Sequence, residues 1–230
     1  MNQYTLENLQ DKLDRNILYR KRELTILKTQ IAESTGNVLN TFIRAGIVFL
    51  YAHWEGFIKE GAKEFLKFLN HQNVPRKELK DNYFIASLKY KIIDCGQSKS
   101  TRKHSELIAE VMYNDSLTFN VNLNKAEEPI INSESNLKSS VFDEILYILG
   151  LDKEPFELKY TLLDEKLLNH RNKIAHGVNV SFLRSESREL EENAKRDYEE
   201  LYHAILELMD LFKDKILETA KNKLYLKVNS

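Results

Sequence analysis

Between Val38 and Leu69 the chain sets Phe42, Ile43, Ile47, Phe49, Leu50, Trp54, Phe57, Ile58, Phe65 and Leu66 in a stretch without proline. Their spacing is helical, but they cover more than one face, so this segment reads as a central helix that several neighbours must enclose. That requirement points to an all-α bundle. Before it, Leu6, Leu9, Leu13, Ile17, Leu24, Leu27 and Ile31 recur at spacings of three, four and seven and mark a long first helix, with Arg20 as one wet position in its seam. Ser34-Thr35-Gly36-Asn37 separates the two helices. Only 7 glycines and 3 prolines punctuate 230 residues, and a 42% hydrophobic content suffices for a proper core. Residues 1–230 therefore read as a single helical domain, without an internal repeat or a dividing linker.

Beyond a turn from Asn70 to Pro75, Lys77–Cys95 and Thr101–Tyr113 read as shorter helices parted by Gly96-Gln97-Ser98. From Ser116 to Asn136 the helical period fails. Leu117 to Leu123 alternates apolar with polar, as in a brief strand or an extended arm, and the polar stretch from Asn124 to Ser135 reads as a loop. A helix resumes over Leu137–Leu149 and stops at Gly150, and a connector from Asp152 to Pro155 follows. Tyr160–His176 forms another helix through Leu162, Leu163, Leu167 and Leu168. After an extended Val178–Phe182, Glu186–Lys223 gives the longest acidic-fronted helix.

Composition narrows the function classes. The net charge of −1 gives no bulk attraction to nucleic acid. Locally, Arg76, Lys77, Lys80, Lys89, Lys91, Lys99, Arg102 and Lys103 outnumber the acids between Arg76 and His104, which suits either an RNA track or a solvated face. A single cysteine, Cys95, excludes an intramolecular disulfide and a Cys-based zinc site within one chain. His71, His104 and His203 show no metal-ligand spacing, so neither a metal nor a cofactor is expected. Met1–Asp14 lacks the apolar core of a signal peptide, and no apolar run approaches the roughly eighteen residues of a membrane span. These features suit a cytoplasmic protein.

The chemistry is concentrated in Arg171-Asn172-Lys173-Ile174-Ala175-His176-Gly177. Arg171 offers a permanent charge in a planar fork suited to phosphate oxygens, and His176 an imidazole that titrates near neutrality; together they suffice for metal-free attack on a phosphodiester. At about 100° per residue the two diverge by roughly 140° around a helix, while Asn172 and His176 share a face. Either the last turn unwinds at Gly177 and re-aims His176, or two protomers complete one site. Cations in a last turn also complement the helix dipole, which is the purely structural alternative.

This Arg-x4-His string resembles the motif of the HEPN superfamily. Tyr51-Ala52-His53-Trp54-Glu55-Gly56-Phe57-Ile58-Lys59 is similar to a segment of the MAE-like HEPN nucleases, as are Ser135-Asn136-Leu137, Val141–Leu146 and Leu149-Gly150-Leu151. The resemblance implies a HEPN-type bundle with long core helices, additional short helices and a small irregular or extended insertion. It also implies a metal-independent endoribonuclease with Arg171, His176 and Asn172 as its catalytic residues. A homodimer acting on RNA as a toxin or antiphage effector, with an antitoxin or defence-system partner, fits the same resemblance. The alternative is a catalytically silent module binding RNA, a nucleotide or a protein. His53, amid Tyr51, Trp54 and Phe57, reads as a structural histidine of the bundle, and Glu55 as a residue able to orient an active-site arginine from the second helix.

Overall fold

A computed structural model describes residues 4–113, 117–123, 129–183 and 187–227. Thr5 opens α1 (Leu6–Glu33) with a capping box: its hydroxyl accepts from the Asn8 N–H, and its own N–H donates to Asn8 Oδ1. Ser34 and Thr35 turn the chain into α2 (Gly36–His71), where Gly36 takes a φ of 55° and donates its N–H to Glu191. Side-chain links from Tyr4 to Glu64 and from Asn16 to Glu60 show that α1 and α2 run antiparallel. The last helix, α8 (Arg188–Lys221), lies along both, through Lys21–Asp210 and Lys28–Glu199 on one side and Phe57–Phe212 on the other.

Three long helices leave part of α2 uncovered, and the remaining chain closes it. A 3₁₀ turn (Arg76–Glu78) leads to the α3 (Asp81–Gln97) and α4 (Thr101–Tyr113) pair, and α5 (Ser139–Leu149) brings Phe142 edge-on to Trp54 at 5.1 Å. Residues 117–123 and 129–138 run down α2 from its C-terminal end. Asn70 both donates to and accepts from the Val121 backbone at 2.9 Å, Ser133 donates to Glu55, and the Leu137 N–H donates to the Tyr51 hydroxyl at 2.7 Å. A strand is absent among the described residues; isolated bridges such as Pro75 to Thr118 occur instead. The alternation read in 117–123 survives as an extended arm, with Phe119 and Val121 buried and Thr118, Asn120 and Asn122 exposed. The supposed polar loop is less polar in effect, since Ile130, Ile131 and Ser133 are buried; residues 124–128 lie outside the described set.

Other boundaries shift for local reasons. The third helix starts at Asp81 rather than Lys77, because the 3₁₀ turn intervenes; the fifth starts at Ser139, where Asp164 accepts from both its N–H and its hydroxyl. The connector contains one helical turn, α6 (Glu154–Glu157), with Pro155 in its first turn. At 36 residues α2, not α8 at 34, is the longest helix. The motif helix is a π-helix over Leu162–Leu168 followed by α7 (Asn169–Ala175). Its apolar pairs, Leu162–Leu163 and Leu167–Leu168, are five residues apart; in an α-helix that spacing splays them by roughly 140°. The i→i−5 bonding of the π turn, seen where Asn169 donates to Asp164, brings them back toward one side.

Arg20 is not a wet position. It is 5% exposed, donating to Asn16 Oδ1 (2.8 Å), Glu60 Oε2 (3.0 Å) and the His53 carbonyl (3.3 Å). Its guanidinium crosses Gly56 so closely that a Cβ there would stand 2.7 Å from it, which explains the glycine of the His-Trp-Glu-Gly-Phe string. His53 is buried beside it, 3.2 Å from Glu23 and edge-on to Phe49, the structural histidine that its apolar neighbours imply.

Burial, then the Arg20 charge, hold the His53 imidazole below its ordinary value against the opposing pull of Glu23. The unfolded chain therefore takes up this proton more readily than the folded one, so stability is level above about pH 6.5 and falls as pH drops from there toward the folded value. Urea unfolding between pH 8 and pH 5 should show that fall, and His53→Gln should flatten it. An unchanged slope in the variant would assign the proton uptake to another group.

Candidate active site at the end of the motif helix

Arg171 projects from α7 toward α2 and is partly buried. Its Nη1 donates to Asn136 Oδ1 at 2.6 Å and to Asn172 Oδ1 at 2.7 Å, and its guanidinium carbon sits 4.2 Å above the centre of the Tyr51 ring. Each contact comes from a different element: α2 supplies the ring, the strap ahead of α5 supplies Asn136, and α7 supplies Asn172. A cation over a phenol face contributes about 0.5 to 2 kcal/mol, depending on desolvation, and the two hydrogen bonds about 1 kcal/mol each, enough together to select one rotamer.

Every one of these partners is neutral. No carboxylate pairs with Arg171 among the described residues, in contrast to Arg20 with Glu60, or Arg76 with Glu110. Glu55, an acid beside Tyr51, accepts from Ser133 at 2.5 Å and lies 3.7 Å from Lys59. It reaches Arg171 only through Tyr51, one helical turn away on α2. Burial, reinforced by Glu55, pushes the Tyr51 phenol up to about 12 against the opposing effects of the Leu137 N–H and Arg171. Tyr51 thus stays a neutral ring near neutral pH, and Arg171 keeps an uncompensated charge.

His176 stands at the other end of the motif. It caps α7 with φ −87° and ψ 12°, its N–H still donating to the Asn172 carbonyl at 3.0 Å. Gly177 adopts φ 75°, and the Gly177-to-Ile174 and Val178-to-Lys173 bonds close a Schellman turn. The last turn therefore does not unwind, and the glycine serves as a left-handed stop instead. The imidazole is exposed and, among the described residues, without a side-chain partner. The sequence places Asn172 beside His176, but its amide oxygen serves Arg171. One chain holds Arg171 and Asn172 together and leaves His176 facing outward.

Among the other residues singled out in the sequence, His170 points elsewhere: its Nδ1 lies 2.6 Å from the Lys166 carbonyl, and its ring packs on Phe182. Four of the eight cations named in the basic segment, Arg76, Lys91, Arg102 and Lys103, are paired with acids. Glu110 takes both Arg76 and Lys91 and is held below the usual carboxylate range by hydrogen bonds from both cations, against the raising effect of burial. Arg102 pairs with Glu106 and Lys103 with Asp94. Asn136 and Tyr51 are the residues that the motif alone does not reveal; both stand in the segments quoted for the resemblance, but their convergence on Arg171 spans residues far apart in sequence.

Among the described residues no cluster of three or more His, Cys, Asp or Glu side chains is arranged to hold a metal, and no helix is long and apolar enough to cross a membrane. Neither a curated protein nor a solved structure matches the chain. The family model described as RiboL-PSP-HEPN matches residues 15–218, a span that contains the α2 segment, the strap and the whole Arg171–His176 motif. The chain, with its all-α bundle built on long core helices, belongs to the RiboL-PSP-HEPN family of the HEPN superfamily.

Proposed function

We propose that this protein is a metal-independent endoribonuclease acting as a cytoplasmic homodimer, with residues 1–230 forming one domain and Arg171, His176 and Asn172 forming its catalytic machinery. The observation that carries this reading is the neutral cradle of Arg171: the guanidinium is fixed in place by Tyr51, Asn136 and Asn172 yet not neutralised, as a group meant for a phosphate must be. The His53-Trp54-Glu55-Gly56-Phe57 string supports kinship with the MAE-like nucleases within the superfamily. A role in toxin or antiphage systems, with an antitoxin or defence partner, follows from the same kinship.

In this mechanism an imidazole from His176 takes the proton of a ribose 2′-OH, and the 2′-oxygen attacks the adjacent phosphorus. The P–O5′ bond breaks, leaving a 2′,3′-cyclic phosphate and a 5′-OH that receives a proton from an imidazolium. Arg171 stabilises the charge that gathers on the non-bridging oxygens of the phosphorane-like transition state. Asn172 and Asn136 position Arg171. DNA, lacking the 2′-OH, is not a substrate. Because Arg171 and His176 diverge on one helix, a two-fold axis that sets two motif helices face to face supplies each half with both groups.

With chelator present, Arg171→Ala and His176→Ala should each lower RNA cleavage by roughly two to four orders of magnitude while folding is retained. Cleavage by the double variant at the wild-type rate would leave the silent binding module as the better reading. Asn136→Ala should cost less, about tenfold, and mainly in kcat, since it loosens the guanidinium without removing it. Mixing Arg171→Ala with His176→Ala protomers should restore part of the activity through heterodimers. An active monomer at concentrations too low for association would refute the shared site.

A further inference from the structure

One face of the motif helix is unused by this mechanism. A cleft of about 380 Å³ opens there between the π segment, the chain after His176 and α8, within the size range of small-ligand sites. Its floor is apolar, formed by Ile43 and Ile47 of α2. Two rings make one corner, His170 and Phe182, with centroids 5.3 Å apart and planes inclined at 60°, so that a flat group laid on one meets the edge of the other. Phe182 is held in place by its backbone N–H, which donates to Asn40 at 2.9 Å, and Arg44 donates to Asn179 and to the Val178 carbonyl.

The rim carries opposite hydrogen-bonding characters on opposite walls. Lys166, on the motif helix, is donor-only; Asp197, on α8, is acceptor-only when ionised; neither has a partner among the described residues. An apolar slot with an aromatic corner suits a nucleobase in single-stranded RNA, which is read by stacking and by its polar edges. Guanine alone among the four bases presents two adjacent donors, N1–H and the N2 amino group, for one carboxylate, and two acceptors, O6 and N7, for a cation. His170 also precedes Arg171 directly, with Cα atoms about 3.8 Å apart. The two side chains leave the helix about 100° apart, so a strand that seats a base on His170 passes round the motif helix to reach Arg171.

We propose that this cleft is the base-recognition subsite of the enzyme and that it selects guanine, with Asp197 accepting from N1–H and N2–H, Lys166 donating to O6 or N7, and His170 and Phe182 holding the ring. The proposal deepens the ribonuclease reading and rests on it for the role, but not for the binding.

Two measurements on the 230-residue chain separate them. Titration of GMP, AMP, CMP and UMP, followed by NMR, should show GMP binding at least about tenfold tighter than the others, the size of one bidentate base contact, with shifts centred on Phe182 and Asp197. The exposed Asp197→Asn should erase that preference. Sequencing of the ends released from random-sequence RNA should show guanine enriched at one position next to the cleaved phosphate, and lost in the same variant. Equal affinities, binding elsewhere, or a guanine preference untouched by Asp197→Asn would overturn the subsite. Guanine-selective binding without RNA cleavage would sustain the subsite and sink the ribonuclease reading; cleavage without base preference would do the reverse.

Discussion

The burial of α2 organises this molecule. A helix with apolar side chains on several faces cannot rest against one or two neighbours, because each large side chain left in water forfeits about 1.5 to 3 kcal/mol. Against α8 it packs Phe57 and against α5 Trp54, and Ile58 is buried in the same core. What remains is covered by the motif helix and by the chain over residues 117–123 and 129–138. That covering chain is tied down through α2 side chains, Asn70, Glu55 and Tyr51 in turn. Its last tie delivers Asn136 to Arg171, so the need to cover a core helix also builds the candidate site.

Two arginines meet α2 and come to opposite uses. Arg20 is almost fully buried, crosses Gly56 and spends its donors on Asn16, Glu60 and a carbonyl. A buried guanidinium must be so satisfied, since leaving it unpaired costs several kcal/mol. Arg171 is only partly buried and is met by two amide oxygens and a ring. Its exposed part leaves it open to solvent and to an anion. The same residue type, packed beside the same core helix, is thus paired with a carboxylate in one case and, among the described residues, left without one in the other.

The motif helix owes its placement to a departure from ideal geometry. The π segment gathers leucines five residues apart toward the core, and the Schellman turn at Gly177 ends the helix with His176 exposed. Between these two features Arg171 and Asn172 face inward together. Within one chain the imidazole of His176 faces outward while the guanidinium of Arg171 faces the core, and it is this divergence that the proposed symmetric pair would answer.

By itself the sequence determined the helical class, the extents of the long helices and the Arg171–His176 motif; for His53 it favoured a structural role over a catalytic or RNA-contacting one without deciding between them. These features rest on local rules: apolar period, breaker residues and side-chain chemistry. Arg20 was misjudged because its burial comes from Glu60, forty positions away, and from the missing Cβ of Gly56. The apolar spacing of five in Leu162–Leu168 was visible, yet an α-helix and a π-helix compete for it, and only packing against the core separates them. Tertiary structure alone decided that Asn172 serves Arg171 rather than His176, that Asn136 and Tyr51 join it, and that no acid among the described residues does. Such convergence depends on contacts between residues 51, 136 and 171, whose distance in space no local pattern encodes.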